Sequence, residues 1–143
     1  MLWLGRGAPF SKNKHFLLTK SSIAVSNGIM KNPKITYDDF TRVDIRVGLI
    51  IRAEEHPEAK RPSFKIWIDL GSEIGEKKTS AQVTKHYTPK MLIGMQVACV
   101  VNFPFRQIGK FMSEVLLLGF PDEEGEVVLI GPKQKIPNGG KLF

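Results

Sequence analysis

The chain has 143 residues, enough for one ordinary core and too few for two sizeable domains. Apolar residues make up 42% and charged residues 24% of it, and no apolar run approaches the roughly 20 residues of a membrane-spanning helix, so a single-domain soluble protein is expected. The net charge of +7 points to an anionic partner, but residues 1–37 hold six of the 21 bases and no acid, and the remaining 15 bases face all 14 acids. Nucleic-acid affinity in the folded part must therefore come from local clusters of Lys and Arg.

Residues 1–29 show neither helical nor alternating periodicity. Phe16-Leu17-Leu18 is cut off by Thr19 and Lys20, far short of the roughly 7 to 15 apolar residues of a secretory signal. Two readings fit this acid-free, Ser- and Lys-rich stretch: an unstructured tail upstream of a true start at Met30, or an organellar transit segment. The folded domain is expected over residues 30–143, in the cytoplasm unless the transit reading holds.

Thr36 or Asp38 can cap a short helix through Phe40. From Val43 the odd positions Val43, Ile45, Val47, Leu49, Ile51 and Ala53 are apolar, which predicts a first strand with that set on one face and a bulge at Gly48. Phe64, Ile66, Ile68 and Leu70 repeat the alternation, and a Gly71–Gly75 turn leads to a third strand from Lys77 to Val83. Thr88-Pro89 marks a capped helix start and Gly94 its stop. Gln96–Val101, Glu114–Leu118 and Glu126–Ile130 complete the extended runs, joined by a Pro104 loop and an acidic turn at 122–125. Cys99, alone in the chain and set in an apolar run, is expected as a small buried hydrophobe without a disulfide. Five or so short strands with one helix inserted after the third predict an all-β fold, a five-stranded OB-fold barrel with short helices and terminal extensions.

The candidate site gathers between Ser80 and Gly119. Arg106 and Lys110 lie on a loop flanked by Phe103, Phe105 and Phe111, and cations among rings can pair phosphates and stack bases. The alternative is that the rings pack into the barrel end and the cations are merely solvated. Asn102 and Ser113 bracket the loop and can bond a ligand or the loop's own backbone. Lys85 and His86 are expected at the barrel mouth, and Lys60, Arg61 and Lys65 form a second basic group in the first hairpin.

No catalytic constellation survives its spacing test. A phosphate loop across 71–80 would need glycine at Glu76 and Ser or Thr at Lys78. Lys110-Phe111-Met112-Ser113 hints at a synthetase signature in a chain too short for a catalytic synthetase domain. His15, His56 and His86 are scattered, so no metal site and no cofactor are expected, and the protein reads as a non-enzyme.

Val43-Asp44-Ile45-Arg46-Val47-Gly48, Ser80-Ala81-Gln82 and the block from Asn102 to Glu114 resemble the stand-alone tRNA-binding domain family, in its CsaA-type form. Glu73–Lys78, Thr84–Pro89 and Ile136–Gly140 match the same pattern, so the resemblance covers about Asp39 to Phe143. It implies an OB-fold homodimer paired through short terminal elements, with tRNA or another structured RNA as partner. The alternative it carries is an export-related chaperone binding unfolded or precursor polypeptide. It adds Ser80, Gln82 and Glu114 to a pocket, with Glu114 orienting Arg106. The chain departs from the pattern at Phe105, where proline is expected, and in its long N-terminal extension.

Overall fold

The computed structural model describes residues 32–143. The expectations for residues 1–29 and for a start at Met30 lie outside the described residues.

Helix α1 (Tyr37–Thr41) begins at a capping box: Thr36 Oγ1 accepts from the Asp39 N–H at 3.1 Å, and Asp39 accepts from the Thr36 N–H at 2.9 Å. Thr36, not Asp38, is thus the cap. Then follow β1 (Ile45–Glu55), β2 (Phe64–Asp69), the single turn α2 (Gly71–Ile74) and β3 (Glu76–Ala81). Helix α3 (Pro89–Leu92) starts as expected, with Thr88 Oγ1 accepting from the Met91 N–H and Pro89 in the first turn. Beyond it lie β4 (Gln96–Val100), a hairpin of β5 (Arg106–Ile108) and β6 (Phe111–Ser113), then β7 (Leu116–Leu117) and a second hairpin of β8 (Gly119–Pro121) and β9 (Val127–Leu129).

The antiparallel sheet runs β3-β2-β1-β4-β7, and the expected five-stranded OB-fold barrel is what it builds. The seam joins β3 to the segment entering β7: the Glu114 N–H donates to Lys78 O at 2.8 Å. Beside it Ser113 Oγ bonds Thr79 Oγ1 at 2.9 Å and accepts from the Ser80 N–H at 3.3 Å. Closing the edges this way leaves few strand groups unpaired. Ile50, Ile66, Ile68, Leu70, Val97 and Leu117 fill the interior, with Leu92 of α3 fully buried among them.

Strand β1 corrects two expectations. Its bulge falls between Ile50 and Arg52 rather than at Gly48, and the phase of the strand shifts there. Gly48 and Ile50 face the core, Val47 is buried under the C-terminal segment, and Ile51 is exposed. The C-terminal segment pairs with the first half of β1, through Gly139 N–H to Val47 O at 2.7 Å and Leu142 N–H to Ile45 O at 2.9 Å. Gly48 is required by close approach: a Cβ there would collide with Ile68 and stand 2.8 Å from Leu70 Cδ2. Cys99 is buried as expected, and burial pushes its thiol up to about 12.

Gly48→Ala should therefore cost about 1–3 kcal/mol through overpacking, read as a lower urea midpoint at unchanged slope. An unchanged midpoint would mean that Ile68 and Leu70 yield freely.

Candidate nucleic-acid interface

Alternation along β2 turns Phe64, Ile66 and Ile68 inward and leaves Lys65, Trp67 and Asp69 on the outer face. The register then lines up residues across three strands. Arg52, Trp67 and Lys78 form one rung, Glu54, Lys65 and Ser80 a second, and Asp69 with Glu76 an acidic third. The Arg52 guanidinium lies 4.1 Å from the Trp67 ring centroid, and Trp67 meets Phe111 edge-on at 5.8 Å. Lys78 and Lys65 stand 5.1 and 5.6 Å from the Phe111 ring, within cation–π range. The rings help to hold these cations in place. Arg52 and Lys65 also reach Glu54 at 2.8 Å and Glu58 at 3.5 Å.

Two loops rise beside this face. One is the β1–β2 connection, 56–63, with Lys60 and Arg61 exposed; the other is the β5–β6 hairpin. They touch at Gly109, whose positive φ turns the hairpin, and a Cβ there would lie 3.2 Å from Glu58 Cβ. Beneath the contact sits His56, its side chain wholly enclosed. Its Nδ1 shares a 2.7 Å hydrogen bond with Ser80 Oγ, and its ring packs against Phe111 at 5.4 Å. Among the described residues Nε2 has no hydrogen-bond partner, with Glu58 Oε1 at 3.8 Å. Burial first, then the nearby Lys65 charge, lowers the His56 pKa below the ordinary value, while Glu58 opposes them.

The expected site residues divide by position. Phe105, 58% exposed, with Arg106 and Lys110, stands free on or beside the hairpin, and Lys65 belongs to the outer face below it. Ser80 and Ser113 are buried, one bonded to His56 and the other forming the seam. Asn102 uses both ends of its amide on backbone: Oδ1 accepts from the Asp44 N–H at 2.9 Å and Nδ2 donates to Arg42 O at 2.8 Å. It anchors the start of β1. Phe103 packs against the core, and Gln82 is half-buried after β3. Lys85 is exposed beside His86, and His86 Nε2 bonds Asp122 Oδ2 at 2.7 Å, which ties it to the β8–β9 turn. The Asp122 carboxyl is held low first by the Glu126 N–H and then by His86.

Sequence reading missed Arg52, Trp67, Lys78 and His56. The signal for Trp67 was present, since it shares the polar phase of β2 with Lys65 and Asp69. Among the described residues no three of His, Cys, Asp or Glu gather as a metal site.

A five-stranded OB-fold barrel with cations over rings beside its β1–β2 loop defines an oligonucleotide-binding class of domain. Residues 45–141 match the family described as "Putative tRNA binding domain". The chain belongs to that family and is of CsaA type. The crystal structure of chaperone CsaA from Bacillus anthracis is similar with a TM-score of 0.73 and 45% identity, over 78% of this chain and 100% of that one. CsaA from Picrophilus torridus gives 0.72 and 44%, over 77% and 100%. Methionine–tRNA ligase of Porphyromonas gingivalis is 32% identical over 108 residues, 76% of this chain. This chain spans 15% of that ligase's length.

Ser113→Ala would leave the Thr79 hydroxyl and the Ser80 N–H unpaired inside the barrel. A loss of about 1–3 kcal/mol in urea unfolding is expected, and a loss near zero would show that the seam does not depend on this hydroxyl.

Proposed function

We propose that this protein is a non-enzymatic, tRNA-binding OB-fold domain, whose RNA contact joins the Arg52–Trp67–Lys78 rung to the hairpin carrying Phe105, Arg106 and Lys110. The observation that carries this reading is the rung itself. Trp67 holds the Arg52 guanidinium over its ring, 4.1 Å from the centroid, with Nε and Nη2 turned to Glu54 and Nη1 left to meet a phosphate. Lys78, Lys65, Arg106 and Lys110 supply further phosphate contacts, and the acidic pair Asp69 and Glu76 bounds the track at its lower end. Lys60 and Arg61 border the same surface. Lys85 remains a separate, exposed candidate beside His86.

The terminal segments support a homodimer. Ile35, Tyr37, Phe40, Leu142 and Phe143 expose apolar surface around an open recess of about 350 Å³ lined by Tyr37, Phe40, Val43 and Leu142. A second copy of the chain is its occupant in this reading, and two linked RNA sites then raise apparent affinity without new contacts. Sedimentation should give a dimer that Phe40→Glu dissociates; a monomer in the unaltered protein would refute the pairing. We place the protein in the cytoplasm, where its RNA partner is found.

Polypeptide capture is the second reading. It is favoured by the chaperone name of the two CsaA structures and by the exposed side chains of Phe105 and Met112. Salt separates the two. For tRNA, log Kd against log salt should be steep, and Lys78→Ala or Arg106→Ala should weaken binding and each reduce the slope by roughly 1. Salt-insensitive binding of an unfolded peptide without tRNA binding would move the assignment to the chaperone. No helix among the described residues is long and apolar enough to cross a membrane.

A further inference from the structure

The β5–β6 hairpin is attached to the barrel at two places of different strength. Its base is sewn down by Ser113 and by the Glu114–Lys78 bond. Its tip, Gly109 to Phe111, rests on the β1–β2 loop and on the ring of His56. His56 in turn is tied to β3 through Ser80, whose N–H is bonded to Ser113. One imidazole thus lies under the tip and connects the first-hairpin loop, the outer face and the hairpin base.

The orphaned Nε2 makes this seat sensitive to protons. An imidazolium donates from both nitrogens. Ser80 Oγ can accept from one, but the other meets no acceptor within hydrogen-bond distance among the described residues. The charged groups around it are mixed. Glu58, from the same loop, has Oε1 3.8 Å away but is drawn to Lys65 of β2; Lys78 of β3 stands 5.1 Å from the Phe111 ring centroid, and Lys110 follows Gly109 on the hairpin. A proton on the enclosed ring needs water or an acceptor, and the cover that can lift is the hairpin tip.

We infer that His56 is a positioning residue for the RNA-binding hairpin and a proton-operated latch: neutral, it seats the Gly109–Phe111 tip; protonated, it releases it. The direction follows from what surrounds the closed ring. Burial and Lys65 outweigh Glu58, so the closed state resists the proton and the open state takes it at the ordinary value. Release therefore begins as pH falls below about 6.5 and grows by up to about tenfold per pH unit, the limit for one coupled proton, until the closed state also titrates. Lys110, in the tip, then loses its placement beside the rung, while Arg106 stays with the base through its pairing with Ser113. That last consequence rests on the tRNA reading above; the latch does not.

The test uses the full chain at about pH 7.5 and about pH 5.5 at constant ionic strength, either side of the histidine range. Hydrogen exchange at the Gly109–Met112 amides, corrected for intrinsic rates, should lose protection at the lower pH while β4 does not. In His56→Gln the difference should vanish, and in His86→Gln it should persist. Glu58→Gln, at an exposed position, removes the one group that favours a charged ring, so release should extend to lower pH. Tip protection that is unchanged or rises with acid, or that falls equally in His56→Gln, overturns the latch. Loss of the acid effect in Glu58→Gln overturns it too, because the protonated ring would then be gripping Glu58. tRNA affinity, measured alongside, should fall with tip protection; a tip that opens in a protein that binds tRNA at neither pH leaves the latch standing and rejects the RNA reading.

Discussion

Closure of the barrel between β3 and the segment entering β7 is the constraint on which the rest depends. A five-stranded sheet of this length has two edges, and here they meet through one backbone bond, Glu114 to Lys78, and the hydroxyl of Ser113. In the low dielectric of the interior a hydroxyl that satisfies both Thr79 and the Ser80 N–H counts for more than at the surface. The same seam positions the hairpin. Because Ser113 is the last residue of β6, closing the barrel also lays the hairpin against the outer face, and Phe111 comes down between Trp67, Lys65 and Lys78.

The surface that results is not strongly basic overall. Glu54 and Glu58 lie among its cations, and Asp69 and Glu76 form an acidic rung immediately below. Its affinity for an anion is a matter of arrangement. A guanidinium on an indole, or an ammonium over a phenyl ring, is held by the ring quadrupole. Arg52 also turns two donors to Glu54 and Lys65 reaches Glu58, whereas Lys78, over Phe111, is paired with no carboxylate among the described residues. In the proposed reading, this is how a folded part with nearly balanced charge presents a strip to phosphates.

Legibility varied from residue to residue. The helix starts at Thr36 and Thr88, the inward set of β2 and the burial of Cys99 were readable, because each depends on neighbours within a few positions. The β1 bulge was not: a glycine advertised it at 48, while the register of β2 and the packing of Ile68 and Leu70 set it between 50 and 52. The hairpin around Gly109 looks like a loop in the sequence, since its strands are three residues each and carry little periodicity. At the site, hydroxyl and amide residues that look suited to ligands, Ser113 and Asn102, are engaged within the fold.

By itself the sequence determined the class of fold, the order of its strands and the family, because alternation, turn residues and spaced motifs are local properties of the chain. Only the tertiary structure decided which polar residues face solvent and which face each other. Arg52, Trp67 and Lys78 lie 15 and 11 positions apart along the chain and become one rung only through strand register. His56 is an isolated histidine in the text and a buried hub in the fold, since Ser80, Phe111 and Gly109 reach it only when the barrel has closed.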